Sequence, residues 1–407
     1  MGSFTTKART VELLGRKQIR DAVTAIAELM KNSYDADAPL LRVEFNTQSS
    51  EPRVIVADNG NGMSQTDIES KWLVLGTSSK THRRVRKTDS GRPLMGAKGI
   101  GRLASATVGK QLWMFTKTAK SSWNIVYIHW GLFENPNISI HEVSVPTRFN
   151  LSGNELLLRF DAIKKEMTEE LASNLNLDKW NTASDNEREF ISALKQQILE
   201  DIKTSSISLN HISKFVHGFS NGTVLFIEKL YDNWDSYLQP LSSTERQDDP
   251  MTEKMTNRFS AFVSTLRNAV SPTIPFNVEI FYNNKIWDED FGFSEEDYNV
   301  YDIKVEGEIA KGKFYGTLDA CHADQELLDR CNSQLKNGLD LTFGISDWES
   351  KDCGEFKIKF CHIEGQQKRS GLSPDDYNRI KSKLNISCGI SVYRDGVRIL
   401  PYGEPEN

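Results

Sequence analysis

Three polar clusters in fixed order between Ile26 and Arg102 constrain this chain more than any other feature. They are Glu28-Leu-Met-Lys-Asn32-Ser-Tyr-Asp35, then Asp58-Asn-Gly60-Asn-Gly62-Met63, and last Gly96-Ala-Lys98-Gly99-Ile-Gly101-Arg102. At about 100° per residue, Glu28, Asn32 and Asp35 share a narrow arc of a helix. Ile19, Val23, Ile26 and Met30 fall on the opposite side, where they can pack on a sheet. A solvated helix face explains most such polar trios. A carboxylate and a carboxamide one turn apart also suit two tasks: Glu28 can polarise a water as general base, and Asn32 can offer its carbonyl oxygen to magnesium.

The second cluster follows Val54-Ile-Val-Ala57, an apolar run of buried-strand length, so Asp58 is expected at a strand end. Gly60 and Gly62 let the backbone turn there and approach a ligand closely. Asp58 then either belongs to an ordinary Asp-Asn-Gly turn or accepts a hydrogen bond from an exocyclic amine such as that of adenine. The glycines at 96, 99 and 101 offer successive backbone N–H groups and a helix start that favours phosphate. No Gly-Lys-Ser/Thr follows and no clear strand precedes, which excludes both a Walker loop and a dinucleotide fingerprint.

In this order, the E-x-x-x-N-S-x-D-A segment (Glu28 to Ala36), D-x-G-x-G (Asp58 to Gly62) and G-x-K-G-x-G (Gly96 to Gly101) resemble the GHKL ATPase superfamily. That group includes the gyrase ATPase subunit, heat-shock chaperones, sensor histidine kinases, MutL and MORC proteins. Gly222-Thr223 looks like the late Gly-Thr strand that closes the base pocket, so the resemblance spans roughly residues 20 to 230. It implies an α+β Bergerat-fold sandwich, a mixed sheet covered by helices, followed by a smaller α/β transducer-like domain. The expected division is an N-terminal arm at 1–17, an ATPase domain at 18–240 and a second domain at 255–407. Within the ATPase domain a polar, helix-prone insertion covers about 154–214. In dimers of this superfamily an arm of this kind crosses to the partner, which is the expectation here.

The resemblance also assigns roles. Asp58 and Thr223 hold adenine; Asp35, Gly60, Gly62 and Met63 join them at the nucleotide. Asn32 is the magnesium ligand. Gly96, Lys98, Gly99, Ile100, Gly101 and Arg102 wrap the phosphates, and Glu28 aligns water. Gly76-Thr-Ser-Ser79-Lys80 is similar to MutL- and MORC-like lids, which places Ser79 and Lys80 against the phosphates on closure. The basic run after it (Arg83, Arg84, Arg86, Lys87) fits a solvated loop, a phosphate contact or a nucleic-acid contact. The second domain should return a cation to the γ-phosphate. Lys368, in a Gln-Gln-Lys-Arg segment similar to gyrase's Gln-Thr-Lys loop, is preferred over Arg394 and Arg398.

Strand patterns mark Leu41 to Phe45, Leu112 to Val143, Val278 to Tyr282, Phe314 to Leu318, Phe356 to Phe360 and Ile390 to Arg394, with a helix over Asp375 to Leu384. Ser242 to Pro250 reads as a linker. The five cysteines (321, 331, 353, 361 and 388) lack C-x-x-C spacing and read as reduced, buried thiols rather than zinc ligands. No apolar run is long enough for a membrane, and no secretory signal is predicted; Gly2 and Thr6 match only a two-position myristoylation pattern. A cytoplasmic protein is expected. The net charge of −6 argues against one that coats nucleic acid.

These features point to a slow, magnesium-dependent ATPase whose lid closure and ATP-dependent homodimerisation make a clamp. Anti-phage defence, a partner effector protein and DNA handling are settings that the resemblance suggests. A histidine kinase would need a phosphoacceptor histidine ahead of Glu28, and residues 1 to 27 contain none. The alternative is a non-catalytic, nucleotide-sensing scaffold or chaperone-like protein.

Overall fold

Asp21 opens the helix on which the site is built. Its carboxylate accepts from the Thr24 N–H at 2.8 Å and the Thr24 hydroxyl at 2.9 Å, satisfying the first turn. Helix α2 (Ala22–Asp35) then buries Val23, Ile26 and Met30, as the periodicity predicts. Ile19 lies ahead of the cap, outside the helix. The computed structural model describes residues 5–75, 87–92, 94–95, 101–181, 185–238, 255–256, 259, 262–263, 276–287, 296–310, 313–319, 339–344, 356–386, 392–394 and 397–399.

Two compact units divide the chain: Met1–Asp290 with Tyr393–Val397, and Phe291–Val392 with Arg398–Asn407. The first is built on an eight-stranded sheet in the order β5-β4-β3-β6-β2-β1-β7-β8. Its strands are β1 (Leu40–Asn46), β2 (Arg53–Asp58), β3 (Gly109–Lys117), β4 (Trp123–His129), β5 (Thr147–Leu151), β6 (Gly222–Leu230), β7 (Asn277–Tyr282) and β8 (Lys285–Ile286). Neighbours are antiparallel except β1 and β7, which run parallel. Mixed pairing and helical cover give the α+β class expected of a Bergerat fold.

Register assigns the two faces. Asp58 lies opposite both Leu41 and Thr223, and Thr223 opposite Thr116, so these residues share one face. α2 meets that face, where Ser33 reaches Asp58. The opposite face presents Phe115, Phe226, Glu228 and Glu44. It is covered by α5 (Gly153–Ser173), α6 (Asp185–Lys203) and α7 (Leu209–Gly218). Phe160 of α5 packs on Phe115, His211 of α7 on Phe226, and Lys214 of α7 pairs with buried Glu44 at 2.6 Å. The stretch expected as an insertion at 154–214 is therefore the second layer of this unit. It also explains why the charged Glu44 of β1 is buried.

Residues 6–8 pair with 138–140 of the same chain, through Ala8 N–H to Ile138 O at 2.9 Å and Ile140 N–H to Thr6 O at 3.1 Å. The segment up to α1 (Thr10–Leu14) packs on its own domain in the single chain, with Ala8 and Val11 buried. The strand at Val278–Tyr282 belongs to the first sheet, so the expected boundary near 255 moves to Asp290. Alternation identifies a strand but not the sheet that receives it.

The second unit has an antiparallel sheet, β11-β10-β9-β12. Its strands are β9 (Ile303–Ala310), β10 (Lys313–Asp319), β11 (Leu339–Gly344) and β12 (Phe356–His362), followed by α9 (Pro374–Ile386). β13 (Val392–Arg394) and β14 (Val397–Ile399) pair with each other. The Ser242–Pro250 linker and four of the five cysteines lie outside the described residues. Cys361 is half-buried, its thiol donates to the Tyr298 carbonyl, and burial raises its pKa.

Candidate active site

Asp58 ends β2 and is almost fully buried. Its carboxylate accepts from the Ser33 hydroxyl at 3.0 Å and from the Gly60 N–H at 2.9 Å. Burial pushes its pKa from 3.8 up to about 6, against the opposing pull of those donors and of the Thr223 backbone. A buried carboxylate short of compensation suits an amine-bearing ligand that completes its hydrogen bonding.

Gly62 and Gly222 are required by close backbone approach. Gly62 has φ +62° and Gly222 φ +135°; a Cβ would meet the Lys117 oxygen at 1.9 Å in the first case and the Asp58 oxygen at 2.0 Å in the second. Thr116 ties these segments together. Its hydroxyl receives the Met63 N–H at 2.9 Å, lies 2.9 Å from the Thr223 hydroxyl and donates to the Gly222 carbonyl at 3.1 Å. Asn124 holds the Met63 carbonyl at 3.0 Å, and Asn221 holds that of Gly60 at 2.6 Å.

The polar arc of α2 meets the end of the third cluster. A Cβ built on Gly101 would lie 3.3 Å from Asn32 Oδ1, 3.4 Å from Asn32 Nδ2 and 3.4 Å from Glu28 Oε2. Glu28 Oε1 pairs with Lys31 Nζ at 2.9 Å, leaving Oε2 toward Gly101. Asp35 accepts the Met95 N–H at 2.8 Å and so fixes the chain just ahead of Gly96. Beside it, fully buried Arg92 donates to the Tyr34 and Ala38 carbonyls at 3.1 and 2.9 Å, while Asp37 accepts from the Ser90 N–H and hydroxyl. These bonds tether residues 88–95 to the C-terminal end of α2.

Of the residues expected at the site, the structure gathers Glu28, Asn32 and Gly101 in one group and Asp58, Gly60, Gly62, Met63 and Thr223 in another. Ser79, Lys80, Gly96, Lys98, Gly99 and Ile100 lie outside the described residues, as do Arg83, Arg84 and Arg86. Arg102 is placed by its backbone alone, as are Arg394 and Arg398. Lys368 is exposed in a 3-10 turn of the second unit. Sequence reasoning missed Thr116, Asn124, Asn221 and Arg92, which act through partners distant in the chain. Ser33 lay inside the first cluster and had a local signal.

Asn32 fits a magnesium ligand. It is half-buried, and among the described residues none hydrogen-bonds its carboxamide, so its oxygen is available beside Gly101. No group of three or more His, Cys, Asp or Glu side chains suited to a metal occurs among the described residues. A cleft of about 380 Å³ opens at the far end of β1, β2 and β6, bordered by Glu51, Lys229 and Asp235. Its charged groups are already engaged, Glu51 with Lys229 and Asp235 with Tyr282.

The mixed sheet with its helical cover agrees with the GHKL-type ATPase fold, and the comparison by sequence supports that superfamily. Residues 21–147 match the family described as histidine kinase-, DNA gyrase B- and HSP90-like ATPases. A putative type II restriction enzyme, HgiDII of Herpetosiphon aurantiacus, is 40% identical over 77 residues, 19% of this chain. The match spans 12% of that protein's length. Among the described residues no helix is long and apolar enough to cross a membrane.

Proposed function

We propose that the chain binds ATP with adenine at Asp58 and hydrolyses it with Glu28 as general base. The observation that carries this reading is the approach of Gly101 to both Glu28 Oε2 and Asn32 Oδ1. It brings the end of the glycine segment, a helix start suited to phosphate, against a carboxylate and a carboxamide of the kinds that a base and a metal ligand require. Asp58 accepts the adenine amine, with Thr116 and Thr223 bordering it; backbone N–H groups from Gly96 to Gly101 bind phosphate oxygens. Glu28 takes a proton from the attacking water while Lys31 holds the carboxylate's other oxygen. Asn32 would hold a magnesium ion, which would supply positive charge to offset that of the phosphates. Lys368 adds a cation at the γ-phosphate. A lid that includes Ser79 and Lys80 closes over ATP and favours a dimer, with hydrolysis as the timer of release. On this reading the second unit acts as a transducer in a MORC-like arrangement, and a partner protein carries the output.

Glu28→Ala tests the assignment. ATP affinity should persist while phosphate release falls by about a hundredfold or more, the range of a lost general base. Loss of binding together with turnover would remove Glu28 from that role.

A DNA-linked setting, defence against phage included, is favoured by the stretch shared with a protein named as a restriction enzyme. The net charge of −6 limits any contact to a local patch. Salt-titrated DNA binding should therefore be weak at physiological ionic strength without ATP; tight binding with a steep salt slope would overturn that view of the charge balance.

A further inference from the structure

Lys31 stands about one turn beyond Glu28 on α2 and reaches back to it, its ammonium donating to Glu28 Oε1 at 2.9 Å. The same ammonium sits over the Phe262 ring, 5.8 Å from the centroid. Both charged side chains are largely withdrawn from water, at 20% exposure for Lys31 and 31% for Glu28. Phe262 is fully buried, as are Met255, Thr256, Phe259 and Val263, and all five are helical. They recur at the spacing of one helix face. Phe259 of that face packs in the core against Phe45, Trp234 and Trp287. Every residue in this arrangement belongs to the first unit. The lysine thus stands between the carboxylate of Glu28 and an aromatic ring brought from a distant part of the chain.

A Glu–Lys pair three residues apart on a wet helix face is an ordinary surface contact that fixes little. This pair differs in its second partner. Among the described residues Glu28 is the only hydrogen-bond acceptor of the Lys31 ammonium, and the ring of Phe262 backs the cation from another element. Glu28 Oε2 is then left 3.4 Å from where a Cβ on Gly101 would stand. An unheld glutamate would sample several rotamers, most of which aim that oxygen elsewhere. We infer that Lys31 is a positioning residue for the general base: it holds Oε1, and Phe262 holds Lys31, so that Oε2 stays directed at the attacking water. The inference rests on the proposed role of Glu28. Its physical content is orientation, since a base already aimed has less freedom to lose as the proton moves. Turnover thereby becomes sensitive to how Phe262 seats against α2.

The test compares Lys31→Met, Lys31→Arg, Phe262→Leu, Glu28→Ala and the Lys31→Met/Glu28→Ala double variant in the full chain. Steady-state ATPase kinetics, ATP affinity and thermal melting are measured for each. Lys31→Met keeps an unbranched, helix-favouring side chain without the charge. It should lower kcat about tenfold, with KM and ATP affinity changed by less than about threefold. Lys31→Arg returns a cationic donor to the carboxylate and should recover most of kcat. Phe262→Leu keeps an apolar side chain but removes the ring face, and should slow kcat in the same direction by about twofold to threefold. The double variant should be no slower than Glu28→Ala, because Lys31 acts only through Glu28. An ordinary surface pair would leave kcat unchanged in Lys31→Met, and that result would overturn the inference. Weaker ATP affinity at unchanged kcat would overturn it too, by placing the ammonium on the nucleotide. Further slowing in the double variant would do the same by placing the effect outside Glu28. Full kcat in a folded Phe262→Leu would overturn the part given to the ring; should that variant melt, Lys31→Arg against Lys31→Met carries the comparison. Full turnover in Glu28→Ala would instead remove the proposed base, and the positioning role with it.

Discussion

At the scale of single residues, Asp58 shows a carboxylate held against the preference of the fold. Its folded pKa, raised from 3.8 to about 6, means that its stabilising contribution is fully present below pH 3.8 and is lost as pH rises through about 6. At neutral pH the charge opposes folding by about 3 kcal/mol, from 1.36 kcal/mol per pKa unit. Asp58→Asn should therefore raise the denaturation midpoint of the ligand-free protein at pH 7.5, by up to that amount, while weakening ATP binding. A variant that is destabilised, or that binds ATP as before, would place adenine elsewhere. Wild-type affinity should fall about tenfold between pH 7 and pH 5 relative to the variant, following the fraction of ionised carboxylate. Gly101 makes a second residue-scale case. Gly101→Ala must displace Asn32 or Glu28 by a few tenths of an ångström, so turnover should drop several-fold, on the order of a misplaced catalytic group, with little change in melting. Unchanged turnover would mean that the contact does not position either side chain.

At the scale of elements, the sequence announced what was local and hid what was not. Glu28, Asn32 and the buried stripe of α2 follow from helical period, and β2 with its terminal Asp58 follows from an apolar run ended by glycine. Thr116 stands in β3, 53 residues beyond the Met63 amide it receives, and nothing in its neighbourhood marks it as a hub. The second layer was equally hidden. α5 to α7 were legible as helices, but their place on the sheet depends on side chains such as Phe160, His211 and Lys214 meeting strands from other parts of the chain. Thr116→Val tests the hub. Leaving the Met63 N–H unpaired should cost about 1–3 kcal/mol and weaken ATP affinity, while turnover at saturating ATP changes little. A fall in saturated turnover at unchanged affinity would tie Thr116 to chemistry instead.

At the scale of the whole molecule, the proposed clamp predicts a change of mass. Wild type should be monomeric without nucleotide and dimeric with ATP and magnesium, and Glu28→Ala should remain dimeric for longer; light scattering reads all four conditions. A constant mass would remove the clamp and favour the scaffold reading. The parallel pairing of β1 with β7 has a different consequence, for synthesis. Leu40 pairs with Asn277, so when β1 leaves the ribosome its neighbour on that side does not yet exist. At about 5–20 residues per second, that flank of an apolar strand stays uncovered for tens of seconds or less. A shortened chain that ends at residue 240 would keep it uncovered permanently, with Leu41, Val43 and Phe45 on the open border and intermolecular strand pairing as the foreseeable outcome. The sheet of the first unit is completed by a segment made well after the residues proposed to touch ATP.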